Sequence, residues 1–281
     1  MAMIIDFHTH IFSPGIIKNR NTYIDSDPCF AELYSDEKTK LVTADDLVES
    51  MDNEGIDISV ILNIGWVSQE LCIETNDYIM ESVSRYPKRL IGFGSISPQA
   101  DNSALKEIER CKQGRLKGIG EIRPDVQVLD KNNLNLFDPL VPMLIENDLI
   151  YLTHASEPVG HQYKGKGRIT PNTLYPFIRK HPELKIVCAH WGGGLPFYAL
   201  MPEVKNEMRN VYFDTAASPY LYSPQIYTHV IDLVGPDKIL FGTDYPLLKP
   251  SRLLKEIDEL GLAHETRKMI LEDNARNLLT I

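Results

Sequence analysis

The amino-acid sequence predicts a (β/α)8 barrel, an α/β fold in which eight parallel strands are enclosed by helices. Two observations lead to this prediction. Short β-branched runs alternate with amphipathic segments of helical period, which is the pattern of a parallel sheet covered by helices. Eight such runs fit within 281 residues, a length that one barrel domain accounts for. We therefore predict a single barrel domain over residues 1–281.

The predicted strands are short and apolar, as expected of strands that are buried on both faces. They are "MIIDFH" at 3–8, "ISVILNI" at 58–64, "RLIGFGSI" at 89–96, "LKGIGEI" at 116–122, "LIYLTH" at 149–154, "KIVCAH" at 185–190, "NVYFDT" at 210–215 and "KILFGTD" at 238–244. Predicted helices occupy residues 43–55, 74–87, 102–114 and 137–149. The first of them follows Thr43, a typical N-cap, and ends at Gly55.

Two segments differ from this alternation. Residues 11–42 follow the first strand and residues 155–172 follow the fifth, and both are polar and rich in turn-forming residues. Long irregular loops in compact domains commonly act as lids or binding loops. In a barrel both segments would lie at the carboxyl ends of the strands, where active sites lie. We predict two lid-like loops.

Composition and charge exclude several classes of function. The net charge is −10 and the basic residues are scattered, so a nucleic-acid partner is not expected. The sequence shows neither a membrane-length apolar stretch nor a secretory signal. The four cysteines form no CxxC pair, which excludes a zinc ribbon. We expect a cytoplasmic protein that acts on a small molecule, with a homodimer as an open alternative to a monomer.

Polar residues at the predicted strand ends indicate a metal centre. Side chains alternate along a strand, so two histidines one residue apart at the end of the first strand share one face. Further histidines and acids end the fourth, fifth, sixth and eighth strands. Imidazole and carboxylate together suit Zn, Mn or Fe. The candidate ligands are His8, His10, Glu121, His154, His190 and Asp244.

Several motifs of the chain resemble the amidohydrolase superfamily. They are "DFHTH", "THASEP", "CAHWGGGLPF", "ILFGTDYPL" and "ILEDNARNLL", and the similarity extends from residue 4 to 279. The most similar branch includes aminocarboxymuconate-semialdehyde decarboxylase and resorcylate-type decarboxylases. The resemblance implies a distorted (β/α)8 barrel with a metal in its mouth. It also implies that His8, His10, His154 and Asp244 are ligands and that His190 is a ligand or an acid/base group.

Glu121 departs from the pattern of that branch, which relies on one metal and does not need this acid. Its segment "GIGEIRP" resembles the fourth strand of the Tat-linked deoxyribonuclease-like hydrolases, where a glutamate bridges two metals. If Glu121 bridges, the ligands from the first and eighth strands hold one ion, and His154 and His190 hold the other. The alternative is a structural ion pair of Glu121 with Arg123 or with a lysine of a loop. We predict metal contact by Glu121 and leave one or two ions open.

The predicted chemistry is that of a metal-activated water. A divalent metal with an open coordination position lowers the pKa of its bound water toward about 7. Asp244 beside that water accepts its proton, and His190, where it is not a ligand, donates to an oxyanion or shuttles a proton. Asp6, deeper on the first strand, would orient a ligand histidine. We expect Zn first, with Mn or Fe as alternatives.

Three residues are candidates for binding the substrate. Arg123 follows Glu121 at a strand end, a position that directs it to the barrel mouth. Lys164 lies in the second lid-like loop and can bind a substrate carboxylate, while Trp191 follows His190 and can form a pocket wall. The "GGG" at 192–194 lacks the GK[ST] ending of a phosphate-binding loop and predicts a tight turn near the metal.

These observations predict a metal-dependent hydrolase that acts on a small carboxylated substrate. The alternative is a metal-dependent, non-oxidative decarboxylase that uses the same site. Two ions with Glu121 in contact favour hydrolysis, whereas one ion with Glu121 free favours the carboxy-lyase. A third class is a binding protein without catalysis, against which the intact ligand set argues.

Overall fold

The computed structural model describes residues 3–100, 102–127 and 134–281, and its centre is a sheet of eight parallel strands. The strands follow one another in the sheet in the order in which they occur in the chain. They are β1 (Ile5–His10), β2 (Ile58–Leu62), β3 (Leu90–Gly94), β4 (Gly118–Ile122), β5 (Ile150–Thr153), β6 (Ile186–Cys188), β7 (Val211–Asp214) and β8 (Ile239–Leu240). Each strand lies within one of the predicted runs or extends it by two residues, so the predicted barrel is confirmed.

Backbone hydrogen bonds between β1 and the segment after β8 bring the barrel close to closure. The N–H of Phe7 donates to the carbonyl of Phe241 at 2.7 Å, and the N–H of His10 donates to the carbonyl of Tyr245 at 2.8 Å. The N–H of Asp244 donates to the carbonyl of His8 at 2.8 Å. The first and last candidate ligands of the chain are therefore joined through the backbone.

Helices connect the strands and cover the outside of the barrel. They are α1 (Pro14–Lys18), α2 (Arg20–Ser26), α3 (Pro28–Tyr34), α4 (Ala44–Glu54), α5 (Gln69–Arg85), α6 (Asn102–Gln113), α7 (Pro124–Gln127), α8 (Val141–Glu146), α9 (Pro171–Lys180), α10 (Pro202–Glu207), α11 (Ser218–Leu221), α12 (Ile226–Val234), α13 (Pro250–Glu259), α14 (His264–Lys268) and α15 (Asn274–Leu279). Short 3₁₀ turns span Pro98–Ala100, Leu134–Phe137 and Pro236–Lys238, and a π turn spans Met269–Asp273.

The predicted helix boundaries agree best with those of the structure where the capping signals in the sequence are strongest. Thr43 caps α4 through a capping box with Asp46, and Gly55 ends the helix in the left-handed conformation at φ 73°. The helix predicted at 137–149 is shorter, because Pro142 is tolerated only in the first turn and the helix begins at Val141.

The expectation of an irregular loop at 11–42 is wrong, because this segment contains α1, α2 and α3. Ser13 caps α1 and Asp27 caps α3, and a proline follows each cap at the first helical position. Residues 155–170 have neither helix nor strand, as predicted for the second loop.

Three hydrophobic clusters hold this arrangement together. One fills the barrel interior, with Phe7 and Phe93 in edge contact at 5.9 Å between ring centroids. The largest lies between the strands and the surrounding helices. The third attaches α1 and α3 to the barrel, where Phe30 stacks on Trp66 at 5.3 Å. Because of this packing, α3 lies beside the mouth of the barrel.

Among the described residues, no helix combines the length and hydropathy that crossing a bilayer requires.

Candidate metal centre

All six candidate ligands converge at the carboxyl ends of the strands. Three lie within strands, His8 and His10 on β1 and Glu121 on β4, and the others lie in the segments that follow β5, β6 and β8. Apart from Asp244, whose side chain is 18% exposed, they are buried. The barrel thus brings together residues that are up to 236 positions apart in the chain, as the sequence predicted.

Unusual backbone conformations direct two of these side chains into the mouth. Asp244 has φ 64° and His190 has φ 55°, so both residues are in the left-handed region. The left-handed stretch continues from His190 through the three glycines at 192–194. At Gly193 a Cβ would lie 2.2 Å from the carbonyl oxygen of Ser156. The predicted tight turn is present, and it requires glycine for both conformation and space.

The Nε2 atoms of His8 and His10 lie close to one carboxylate oxygen of Glu121 and one of Asp244. The Nε2 atoms of His8 and His10 are 3.1 Å apart, and each lies 3.7 Å from Oε2 of Glu121. Oδ1 of Asp244 lies 3.7 Å from Nε2 of His8 and 3.3 Å from Nε2 of His10. Ligand atoms bound to one ion at about 2.1 Å are separated by roughly these distances in a tetrahedral site. The donor set therefore fits a divalent cation.

Asp214 at the end of β7 directs Nε2 of His8 toward the other donors. Its Oδ2 lies 2.8 Å from Nδ1 of His8, and because a carboxylate only accepts, Nδ1 carries the hydrogen. Nε2 is then the nitrogen of His8 that would bind a metal, after losing its own hydrogen. The other carboxylate oxygen of Asp214, Oδ1, accepts from the backbone N–H groups of His190 and Ala216 at 2.9 and 3.1 Å. One buried carboxylate thus positions two residues of the site.

Asp6, which the sequence analysis expected in this orienting role, has a different one. Its carboxylate accepts from the backbone N–H of His8 at 3.2 Å and from the hydroxyl of Thr243 at 2.6 Å. Within the part of the chain that the structure describes, its carboxylate makes no hydrogen bond to a ligand imidazole ring, and it instead ties β1 to the segment that precedes Asp244. The expectation failed because alternation along β1 identifies the face of a side chain but not its partner on another strand.

We expect Asp214→Asn to lower the affinity for the divalent metal by about 10- to 100-fold, because the amide can no longer enforce the His8 tautomer. Competition against a fluorescent chelator measures this affinity. Asp232→Asn on the exposed side of α12 is the matched control and is expected to keep the wild-type value. Unchanged affinity in folded Asp214→Asn would contradict ligation through Nε2 of His8.

Glu121 also faces a second pair of histidines. Its Oε1 lies 2.8 Å from Nδ1 of His154 and 3.3 Å from Nε2 of His190. Nε2 of His154 accepts from the hydroxyl of Ser156 at 2.9 Å, and Ser156 accepts from the N–H of Gly167 at 2.9 Å. The loop at 155–170 is therefore linked by hydrogen bonds to the acid at the centre of the site.

The charges of the site suit a cation. Burial raises the pKa of Glu121, but neighbouring His154 and hydrogen bonds from three histidines lower it well below its usual range. Burial likewise raises the pKa of Asp244, but a hydrogen bond from His10 and the charge of His8 lower it to about 2. Both carboxylates are thus ionised at neutral pH and available as ligands.

Three overlapping sets of donors could hold an ion. Glu121 belongs to two of them, one with His8 and His10 and the other with His154 and His190, and the third set joins His8 and His190 with Asp244. The predicted position of Glu121 between two groups of histidines agrees with this geometry. Whether the site takes one ion or two stays a prediction.

The site opens into a cavity of about 800 Å³. All of the donors except His8 line the cavity, and four lysines and one arginine also line it, although the chain as a whole carries a net charge of −10. The cationic residues are Lys38, Lys40, Arg123, Lys164 and Lys249. Such a concentration of positive charge attracts anionic ligands.

The structure brings two of the three predicted substrate-binding residues to this cavity. Arg123 lines its wall, and Lys164, with a side chain 63% exposed, lies at its rim. Trp191 does not line it. Its indole N–H donates to Ser218 at 2.9 Å and its ring packs edge-on against Tyr227, so it belongs to the core between barrel and helices.

Two residues of the site were missed by reasoning from the sequence. Asp214 ends "NVYFDT" and Ser156 stands within "THASEP", so each has a position at or just beyond a strand end. That position was the available signal. Asp214 was missed because its run was treated only as a strand, and Ser156 because its role depends on the fold of the following loop.

Comparison with known proteins gives one matching family. A family model described as Amidohydrolase matches residues 5–281. A 2-amino-3-carboxymuconate-6-semialdehyde decarboxylase from Dictyostelium discoideum is 24% identical over 99% of this chain and 92% of its own. A gamma-resorcylate decarboxylase from a Polaromonas species is 23% identical over 83% of this chain and 86% of its own.

A solved structure shares the fold. A 5-carboxyvanillate decarboxylase from Novosphingobium aromaticivorans, with bound manganese and 3-methoxy-4-hydroxy-5-nitrobenzoic acid, superimposes with a TM-score of 0.83. The comparison covers 100% of this chain and 97% of the other at 19% identity. Zinc is not specified by these findings, and the statement that stands is a site suited to a divalent metal.

The comparisons contradict the hydrolase that the sequence analysis predicted. All three of these relatives are decarboxylases, which favours the alternative, a carboxy-lyase. The prediction relied on Glu121 as a sign of hydrolysis. It failed because histidines and carboxylates around a divalent metal serve either reaction, and the substrate in the cavity decides between them.

Proposed function

Because the chain belongs to the amidohydrolase superfamily, we propose that it is a metal-dependent, non-oxidative decarboxylase of a small carboxylated substrate. The reaction breaks the bond between a substrate carbon and its carboxylate, releases carbon dioxide and places a proton on that carbon. The observation that carries the proposal is the cluster of ionised donors in the wall of a cavity that cationic residues also line. The decarboxylase relatives support the same reaction class.

One divalent ion would be held by His8 and His10 together with Glu121 and Asp244, each of which has a carboxylate oxygen within 3.7 Å of both Nε2 atoms. When bound, the ion supplies positive charge that binds oxygens of the substrate and stabilises negative charge developing as the bond breaks. Mn²⁺ is the first ion to test and Zn²⁺ the second. In this assignment His154 holds Glu121 in place, and ligation of a metal by His154 stays a prediction.

His190 has the position required of the proton donor. Its Nδ1–H donates to the carbonyl of Ala216 at 3.1 Å, which fixes the ring and leaves Nε2 directed toward the centre. In the resting site Nε2 faces Glu121 at 3.3 Å. The electron pair left on the substrate carbon takes the proton from Nε2, and His190 regains a proton from solvent through the open cavity.

The cationic lining selects the substrate by charge. Lys164 and its neighbours at the rim raise the local concentration of anions, and Arg123 lies deeper in the wall. We expect these residues to contribute to substrate binding and not to the proton transfer.

The test is release of carbon dioxide by protein loaded with Mn²⁺. The acids offered are 2,6-dihydroxybenzoate and 5-carboxyvanillate, in D₂O, with methyl esters of the same acids offered in parallel. We expect carbon dioxide and a product with one deuterium at the carbon that lost the carboxylate. Ester hydrolysis without carbon dioxide from any acid would contradict the proposal.

A further inference from the structure

The guanidinium of Arg123 is built into the wall of the cavity, next to the proposed metal centre. Arg123 stands two residues after Glu121, so the α-carbons of the two residues are about 7 Å apart along extended chain. Both side chains line the cavity, and only 2% of Arg123 is exposed. Gly65 allows this close fit, because a Cβ there would approach Cβ of Arg123 to 2.4 Å.

One of the two acidic partners of Arg123 is fixed. The carboxylate of Asp125 accepts from Nε of Arg123 at 3.4 Å and from Nη2 at 3.3 Å, and Asp125 is itself buried. Oδ2 of Asp125 also accepts from the backbone N–H of Arg168 at 3.0 Å. Separating this pair would leave a buried charge without a counter-ion, so Asp125 is the permanent partner.

The other partner, Glu32 on α3, is exchangeable. Its carboxylate meets Nη2 of Arg123 at 3.2 Å, but the Glu32 side chain is 39% exposed. Water therefore solvates this carboxylate when it leaves Arg123, and breaking the ion pair costs little free energy. Nη1 of Arg123 is buried and has no hydrogen-bond partner within the part of the chain that the structure describes. A buried donor of this kind favours the binding of an acceptor.

We propose that Arg123 binds a second carboxylate of the substrate, one that the reaction retains, and that this carboxylate displaces Glu32. The inference rests on the proposed function, in which the first carboxylate is lost at the metal centre. A planar carboxylate can accept from Nη1 and Nη2 together, which satisfies the unpartnered donor and replaces the single contact of Glu32. The substrate is then a diacid, with one carboxylate at the metal centre and the other at Arg123.

Isothermal titration calorimetry of the Mn²⁺-loaded protein with benzene-1,3-dicarboxylate and with benzoate tests this role. We expect the diacid to bind about tenfold or more tightly than benzoate. Arg123→Gln should remove that preference and leave the affinity for benzoate unchanged. Arg179→Gln, on an exposed position of α9, removes the same charge and should keep the preference. An unchanged preference in folded Arg123→Gln would overturn the proposal.

Glu32→Gln tests the exchange and does not disturb the core. We expect it to bind the diacid about threefold or more tightly than wild type, because the competing carboxylate is gone, with benzoate unaffected. Glu49→Gln on the exposed face of α4 is the control. Unchanged affinity for the diacid in Glu32→Gln would overturn the exchange. Should Arg123→Gln not fold, Arg123→Lys, which keeps the charge but loses the planar fork, should also lose the preference.

Binding and turnover separate this inference from the proposed function. The protein could prefer the diacid through Arg123 and yet release no carbon dioxide from any acid. That result would reject the proposed function and retain a diacid-binding site. Decarboxylation of monoacids and diacids with equal efficiency in wild type and Arg123→Lys would reject the inference and retain the function.

Discussion

The His10→Ala variant is expected to hold less than about a tenth of the wild-type content of divalent metal and to have no measurable activity. Nε2 of His10 lies within 3.7 Å of a donor atom from each of His8, Glu121 and Asp244. Removing it takes away one of the four proposed ligands and leaves both ionised carboxylates without this neighbour. Metal per chain after gel filtration, measured by mass spectrometry, gives the result directly.

The control for this variant is His264→Ala, which removes a histidine whose side chain is 81% exposed on α14. It should retain the wild-type metal content. Alanine variants of His8 and Asp244 should behave as His10→Ala does, because the three residues converge on one point from β1 and the end of the barrel. Full metal content in His10→Ala would show that the four-donor site is wrong.

His190→Asn is expected to keep the metal while its turnover falls by about 10²- to 10⁴-fold, the usual contribution of a positioned acid or base. The asparagine amide can still donate to the carbonyl of Ala216, so the backbone around the left-handed turn is preserved. What is lost is the titratable nitrogen that faces Glu121 at 3.3 Å. Metal content and rate are measured on the same preparation.

The same variant distinguishes one ion from two. If Glu121 bridges two ions, His190→Asn releases the second and retains the first, and Glu121→Gln also loses metal from both positions. With one ion, only Glu121→Gln affects metal content. His229→Asn, exposed on α12, is the control and should change neither quantity. Wild-type rate and metal content in His190→Asn would remove His190 from the mechanism.

Features with local causes could be predicted from the sequence. The strands follow from apolar runs, and α4 follows from Thr43 and Gly55, because caps act on the nearest turn. The candidate donors could be predicted because the carboxyl ends of parallel strands meet at one edge of a barrel, whatever packs around them. The helices in 11–42 could also have been predicted, since Ser13–Pro14 and Asp27–Pro28 are local start signals.

Other features required the tertiary structure. Asp214 and His8 are 206 residues apart, and nothing near either residue indicates that Nδ1 of one meets the carboxylate of the other. The same holds for Arg123 and Glu32, 91 residues apart, which meet only because a cluster of aromatic residues holds α3 at the mouth. The sequence alone determined the barrel and the end of it that carries the donors, since period and strand-end position are properties of short segments. Tertiary packing decided which nitrogen of His8 carries a hydrogen, which acidic partner of Arg123 is exchangeable and which charged residues line the cavity. These features depend on distances between segments that are far apart in the chain.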